Sequence, residues 1–313
     1  KTKKPSYRVR NWKQYNDAVV VRGSLKFWFD ENAIQHWRNE VKSGKRGRSQ
    51  TYTDMAIQCM LTIKAVFHLP SRATEGFLRS WAKLMRLALP VPDYTTLCRR
   101  QGKLEVTLPR DHGKKTLHVV VDSTGLKVFG EGEWKVRQHG WSKRRTWRKL
   151  HLGVNAANGE IMATAVTTNS VSDGEILPDL RRRIPEPISQ VSADGAYDTE
   201  DCYDHIGQRG ARAAIPPRRG ARIWQHGNTR KPPLARDENL RAIRRRGRKR
   251  WKQEMGYHQR SLAENVMFRI KTLFGSVLNA RRFESQITEA LIRCHALNRM
   301  TRLGMPDSYR IAA

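Results

Sequence analysis

The chain has 313 residues, more than one small domain needs and enough for a catalytic core with one or two accessory modules. It is 38% hydrophobic with nine Trp and eight Phe, so it can build a core, and its 28% of charged residues does not signal disorder. Lys and Arg number 60 against 29 Asp and Glu, a formal net charge of +31 that runs through most of the chain and calls for a nucleic-acid partner without separating a scaffold from an enzyme.

Cys59, Cys98, Cys202 and Cys294 lie far apart, with no Cys-x-x-Cys and no Cys/His pairing at zinc-ligand spacing. They read as reduced small residues of a cytoplasmic protein. No apolar run approaches the roughly 18 to 20 residues that span a bilayer, and the basic N-terminus is not followed by the apolar stretch of a signal peptide. A soluble, intracellular protein is expected.

Residues 1–50 form a basic arm rich in aromatics (Tyr7, Trp12, Tyr15, Phe27, Trp28, Phe29, Trp37), closing in a Gly/Ser/Lys/Arg stretch over 43–49 that reads as a flexible linker. The pattern then turns helical. Thr53 can cap a run carrying Met55, Ile57, Met60, Leu61 and Val66, which Pro70 ends. A second run over 71–89 places Phe77, Leu78, Trp81, Leu84, Met85 and Ala88 at helical spacing. Asp93 suits the N-cap of a short third helix with Tyr94, Leu97, Arg99, Arg100 and Lys103. Three short helices over 51–108 resemble a helix-turn-helix module in which Arg99, Arg100 and Lys103 contact DNA; an ordinary small helical domain with exposed arginines is the other reading.

Past Pro109 the chain changes character. A β-branched run over 116–129, a second candidate strand over 147–155 and a third over 160–168 follow, with Asn158-Gly159 as a hairpin turn. Asp173 is placed as the cap of a helix to residue 183, and 190–194 as a fourth strand. A helix over 199–208 and a strand over 211–215 complete an alternating order. That order predicts a mixed α/β layer of the ribonuclease-H kind over 109–303, with a short tail at 304–313. Residues 216–256 interrupt it with prolines, glycines and the run 241–252, which holds eight basic residues; this insertion is expected to contact DNA through Arg244, Arg245, Arg246, Arg248 and Arg250. Periodic helices over 257–274 and 285–303 close the domain.

Three acidic residues stand out. Asp122 ends the hydrophobic run 117–122 and Asp194 ends 191–194. A charge on a buried apolar strand is costly unless it is paired or binds a metal, so two aspartates placed alike suggest a divalent-ion site. Asp-Ser and Asp-Gly are also ordinary turn openers. On the helix from Tyr257, the spacing Tyr257, Arg260, Glu264, Lys271 puts a phenol, a guanidinium, a carboxylate and an ammonium within an arc of roughly 60°. Taken alone, Arg260 and Glu264 would be a solvent-exposed i,i+4 pair. Asp173 and Asp198 precede helices and read as caps, while His139, His151 and His205 show no metal-ligand spacing. Trp224 and Trp251 lie among basic residues, where packing the insertion down and stacking on an unpaired base are both open.

Together, Asp122, Asp194 and the Tyr257/Arg260/Glu264/Lys271 signature resemble the motifs of bacterial insertion-sequence transposases, specifically the insertion-sequence-five family of the DDE superfamily, over nearly the whole chain. The segment before the signature helix is short and strongly basic, where some relatives carry a large β-rich insertion. The resemblance implies a DNA transposase acting on terminal inverted repeats and target DNA, with two Mg²⁺ ions (Mn²⁺ substituting) held by Asp122, Asp194 and Glu264 and with Asp122 as the bridge. It implies further that Arg260, Lys271 and Tyr257 meet phosphates, that the protein acts as a homodimer on DNA because two ends are joined, and that it works at the bacterial nucleoid. A ribonuclease-H-fold nuclease without strand transfer and a transposase-derived DNA-binding protein without catalysis are the rival readings.

Overall fold

The computed structural model describes residues 6–29, 31–40, 49–109, 116–129, 147–226 and 232–311. Most of the expected linker, 43–48, and His139 lie outside the described residues. The chain divides into two compact units, residues 1–109 with 291–313, and residues 110–290.

In the first unit the strand Tyr7–Val9 (β1) pairs antiparallel with Ser308–Arg310 (β8). Helices Trp12–Val21 (α1), Leu25–Trp28 (α2) and Glu31–Gln35 (α3) follow, with Trp28 and Trp37 buried and Phe29 stacked on Trp81 at 4.1 Å between ring centroids. Helices Asp54–Val66 (α4), Ser71–Leu84 (α5) and Tyr94–Gln101 (α6) pack on one another. The side chain of Thr53 accepts a hydrogen bond from the Ala56 amide at 3.2 Å, so the expected cap is in place. The second helix ends five residues short of the expected 89, because Arg86 takes a left-handed conformation (φ 52°). Leu84 and Met85, expected on the packed face, project into solvent at 82% and 59% exposure.

The second unit is built on a six-stranded mixed sheet. Leu117–Val128 (β2), Trp147–Asn155 (β3) and Ile161–Thr168 (β4) run antiparallel as a meander, and Ile188–Ser192 (β5) then Arg212–Ala214 (β6) lie parallel on the other side of β2, giving the order β4-β3-β2-β5-β6. The two-residue strand Val277–Leu278 (β7), too short to show in the sequence, pairs with the far end of β2 at Lys127 and Val128. Side chains alternate across β2. Leu117, Val119 and Val121 enter a core with Leu177, Leu180 and Ile184 from the helix Asp173–Arg182 (α7) and its C-terminal turn, and with Tyr203 and Ile206 from Glu200–Gly207 (α8). Asp122 and Thr124 face the other way, toward the segment that contains Ser261–Phe274 (α11). The sheet is thus flanked by helices, as expected of the mixed α/β layer.

Local details differ from expectation in ways that have physical causes. Asp194 lies two residues beyond β5, where its side chain accepts from the Ala196 amide and opens a 3-10 turn, Gly195–Tyr197. The cap of α7 is Ser172, in a reciprocal capping box with Glu175, so Asp173 is the first helical residue and not the cap. Asp198 is not a cap either; it forms a buried ion pair with Arg236 at 2.9 Å. The insertion is two helices, Ala235–Arg246 (α9) and Arg248–Glu254 (α10), broken at Gly247. The helix Phe283–Leu303 (α12) crosses the division between the units. No helix among the described residues is long and apolar enough to cross a membrane.

The Asp93 cap of α6 is testable. Its carboxylate accepts from the Thr95 hydroxyl at 2.5 Å and the Thr96 amide at 2.8 Å, bonds that bring its pKa down to about 2. Asp93→Ala should cost about 1 kcal/mol in urea unfolding at pH 7. Because the folded pKa is depressed, the difference between parent and variant should shrink only as the pH falls below the ordinary carboxylate value toward about 2.

Candidate active site

The candidate site forms where β2 runs out of its hydrophobic stretch. Asp122 sits opposite Leu152 in the antiparallel ladder and directly after Val119, Val120 and Val121, all buried. Its carboxylate is only 15% exposed. One oxygen accepts from the Ser123 amide at 2.9 Å and the other from the Arg260 guanidinium at 2.8 Å. Burial pushes the Asp122 carboxyl above its ordinary pKa; the Ser123 amide and Arg260 pull it back, and the charges of Asp194 and Glu264 push it further up. Three acidic groups from three separate elements therefore share one electrostatic neighbourhood.

Arg260 holds that neighbourhood together. The same guanidinium that pairs with Asp122 also pairs with Glu264 one turn along. Burial works against charge on Arg260, but Tyr257, Asp122 and Glu264 outweigh it and leave its pKa raised. Tyr257 and Arg260 belong to a 3-10 turn, Tyr257–Arg260, that precedes α11, so the signature is not one continuous α-helix. The turn is launched by Gly256 at φ 58°, a left-handed conformation that lets the chain leave α10 and reverse toward β2. Tyr257 is 9% exposed, packed with Ala214, Trp251 and Met255. Burial raises its hydroxyl pKa, Arg260 lowers it, and Asp194 and Asp122 raise it further. Lys271 donates to the Thr124 hydroxyl at 2.6 Å.

A second polar group lies on the opposite face of β2, and the sequence reading missed it. Ser123 donates to Asp173 at 3.0 Å, and Lys149 donates to the same carboxylate at 3.3 Å and to the Val171 carbonyl at 2.9 Å. His151, fully buried, holds Nδ1 3.7 Å from the Asp173 carboxylate and Nε2 2.9 Å from the Thr167 hydroxyl. Since Thr167 donates to the Thr168 carbonyl, the ring proton belongs on Nε2. The available signal was positional: Ser123 follows Asp122, and Lys149 and His151 alternate on the neighbouring strand β3.

The basic insertion is far more tied down than its composition suggests. Arg246 and Arg250 both pair with Glu254, at 2.7 and 3.1 Å; Arg244 donates to the Ala221 carbonyl at 3.1 Å and Arg248 to the Pro217 carbonyl at 2.8 Å. Arg245 has no partner among the described residues and borders a cavity of about 440 Å³ beside the edge strand β6. Trp251 is buried and donates to Asn239 at 3.2 Å, while Trp224 carries the Arg236 guanidinium 3.7 Å over its ring. In the first unit, Arg100 is held by Asp54 at 2.5 Å and by the Tyr52 carbonyl at 2.9 Å, whereas Arg99 and Lys103 are exposed. The structure links Asp122 and Glu264 through Arg260, leaves Asp194 near enough for its charge to act on Asp122 but without a contact to either, joins Lys271 to the adjoining stretch of β2, and packs Tyr257 beneath.

The donor chemistry fits a hard cation: three carboxylates, one of them half-buried with a raised pKa, carry a surplus of negative charge that a divalent ion would relieve. As they stand, no three His, Cys, Asp or Glu side chains among the described residues are arranged to hold one ion, and Arg260 is paired with both Asp122 and Glu264.

The family described as Transposase DDE domain matches residues 113–299, and a second family of the same description matches residues 20–131. Among solved structures, a cryo-EM piggyBac transposase synaptic complex with hairpin DNA is 13% identical, with 90% of this chain and 73% of that chain covered and a TM-score of 0.42. A Drosophila P element transposase strand transfer complex is 13% identical, with 62% and 43% covered and a TM-score of 0.29.

The His151 ring supplies a pH test. Burial depresses its pKa to about 4, against 6.5 for the free side chain. The unfolded chain takes up this proton as the pH falls through 6.5 while the folded chain resists until about 4, so the stability tied to the neutral ring is intact above pH 6.5 and is lost as the pH drops toward 4. Between pH 7 and 4.5 the loss should be on the order of 2 kcal/mol. His151→Gln should remove that part of the slope; an unchanged slope in urea titrations would assign the acid sensitivity to other groups.

Proposed function

The chain belongs to the DDE transposase family, and from that premise we propose that it is an insertion-sequence transposase of the insertion-sequence-five kind that binds terminal inverted repeats and cuts and rejoins DNA. The observation that carries this reading is the double pairing of Arg260, which holds the carboxylate of β2 across 138 residues of sequence and that of α11 one turn along, with the charge of Asp194 acting on the same patch. A ribonuclease-H-like sheet would then serve as the rigid platform, since carboxylates on a strand end and a packed helix hold position better than carboxylates on loops.

In this reading Asp122, Asp194 and Glu264 would together hold two Mg²⁺ ions, with Mn²⁺ substituting. Such ions would supply activation of water or a 3′-hydroxyl and stabilisation of the leaving oxygen. Arg260, released from the carboxylates, turns to a phosphate; Lys271 neutralises the backbone beside Thr124; Tyr257 supports both from below. Of the three cations of the first unit proposed to meet end DNA, Arg99 and Lys103 are exposed, and of the five arginines proposed in the insertion, Arg245 has no partner among the described residues. Joining two ends requires a homodimer on DNA, and the high positive charge suits a nucleoid-associated, cytoplasmic protein.

Glu264→Gln tests the site, since it keeps size and hydrogen bonding and removes the charge. Cleavage of a duplex carrying authentic end repeats should fall by several orders of magnitude in Mg²⁺ while binding of that duplex survives. If Glu264 serves only as the exposed partner of Arg260, the change should cost at most about 0.5 kcal/mol of stability and spare the rate. Near-normal cutting by the folded variant therefore sinks the triad. End binding without any cutting by the unaltered protein would favour a DNA-binding protein derived from a transposase, and cutting without joining to a supplied target would favour a nuclease.

A further inference from the structure

A groove of about 260 Å³ opens beside the carboxylate patch, bordered by Lys252, Tyr257, His258, Arg260 and Glu264. We propose that this groove seats one backbone phosphate of the DNA strand being cut, next to the reacting position, and that Lys252 is its principal cationic contact. The proposal rests on the reading of the neighbouring carboxylates as a DNA-cutting site and names a contact that the signature residues do not include.

Three observations carry it. The first is location. Arg260 and Glu264 belong both to the groove and to the carboxylate patch, so whatever lies in the groove is within one side chain of the candidate reacting centre. The second is charge. On the same short segment the arginines are engaged: Arg246 and Arg250 by Glu254, and Arg248 by the Pro217 carbonyl. Lys252 is exposed and has no anionic partner among the described residues. It is nevertheless placed, because its ammonium lies 5.2 Å from the centroid of the buried Tyr257 ring. The exposed His258 side chain, also without a partner among the described residues, adds a second donor on the same rim. The groove's single carboxylate, Glu264, is paired with Arg260, so Lys252 is the cation of the lining left without a carboxylate among the described residues.

The third is size and shape. Small-molecule pockets typically enclose roughly 300 to 1,000 Å³ and bury most of their ligand. This groove is smaller and open to solvent, and it suits a segment of chain passing across the surface rather than an enclosed ligand. A phosphodiester supplies such a segment, with its charge at the position where Lys252 has none to answer it. Lysine acts on phosphate as a compact point charge, which tolerates the in-line movement of a reacting backbone better than a fixed bidentate fork.

The test uses the full chain and a duplex carrying the end repeats, with Ca²⁺ in place of Mg²⁺ so that binding is read without cutting. Lys252→Gln should weaken binding about tenfold and reduce the magnitude of the log-log salt slope by roughly 0.9. Lys252→Arg should restore most of both. Duplexes with a single neutral methylphosphonate at successive positions around the cut then locate the contact. One substitution should weaken the unaltered protein and cost Lys252→Gln nothing further, because the partner charge is already gone. Equal affinity and slope for Lys252→Gln and the parent, or losses that simply add at every position, would overturn the proposal. Circular dichroism and the thermal midpoint of each variant separate these outcomes from misfolding, and Lys252→Arg gives a folded comparison in either case. Absence of Mg²⁺-dependent cutting by the unaltered protein would instead count against the reading of the carboxylates, while the phosphate contact would still stand or fall on these binding data.

Discussion

A carboxylate set directly after three buried valines has to be answered by positive charge or lose its own. Asp122 is in that position, and Arg260 answers it. The consequences reach well beyond one ion pair. Arg260 fixes the start of the signature segment against β2, and the bond from Lys271 to Thr124 fixes its other end two residues along the strand. Eleven residues of helix span about 16 Å, whereas two residues of strand span about 7 Å, so the two long basic side chains lean inward and the helix crosses β2 rather than tracking it. Glu264, between them, is carried to the same patch. Ala263, Val266, Met267 and Ile270 are buried on the other side of the helix and keep that face from rotating away.

The parts of this arrangement that are local were legible in the sequence. Strand β3 has the bounds its residues predict, and the caps at Thr53 and Asp93 are made by the side chains expected to make them. The misses are equally physical. Asp194 was read as the last residue of a strand, but its own side chain captures the Ala196 amide and turns the chain two residues after β5 ends. Ser172 outcompetes Asp173 as a cap because Glu175 stands three residues beyond it, which frees Asp173 to hold Ser123 and Lys149. Order and spacing in the sequence single out the charged residues of the candidate patch, of which Asp122, Arg260 and Glu264 are linked in the fold. Their partners were not legible there, since Arg260 and Asp122 are 138 residues apart and nothing in either local context specifies the other.

Net charge proved a poor guide to which cations are available. The run over 241–252 looks like a uniform basic surface, yet its arginines are largely engaged by Glu254, Glu238 and backbone carbonyls. Beneath them lies a buried pair, Arg236 with Asp198, whose side chains are 5% and 2% exposed. Burying two charges rarely adds net stability, because desolvation consumes most of their attraction. What the pair does provide is placement. Asp198 closes the turn that begins at Asp194, and its second oxygen accepts from the Arg218 amide. The insertion is thereby anchored to the same turn that carries the second acidic residue of the site, so its internal ion pairs and the position of Asp194 form one connected structure.

That connection gives the candidate site a definite electrostatic economy. One guanidinium serves two carboxylates, and Asp122 still has a raised pKa, chiefly because it is buried, with the charges of Asp194 and Glu264 adding to the rise. On the proposed reading, cations entering the patch would take over the charge that Arg260 now balances, and the released guanidinium would face the groove where Lys252 already points. Cation and phosphate would then bind with mutual advantage, since each relieves a charge imbalance that the other alone would worsen. A second phosphate contact at Lys252 strengthens this coupling, because Arg260 loses two carboxylate bonds on leaving the patch and needs an anion held within reach to replace them. Arg260 would thereby stay paired with Asp122 and Glu264 until both components arrive, which is the arrangement expected of an enzyme whose chemistry on DNA must await the assembled substrate.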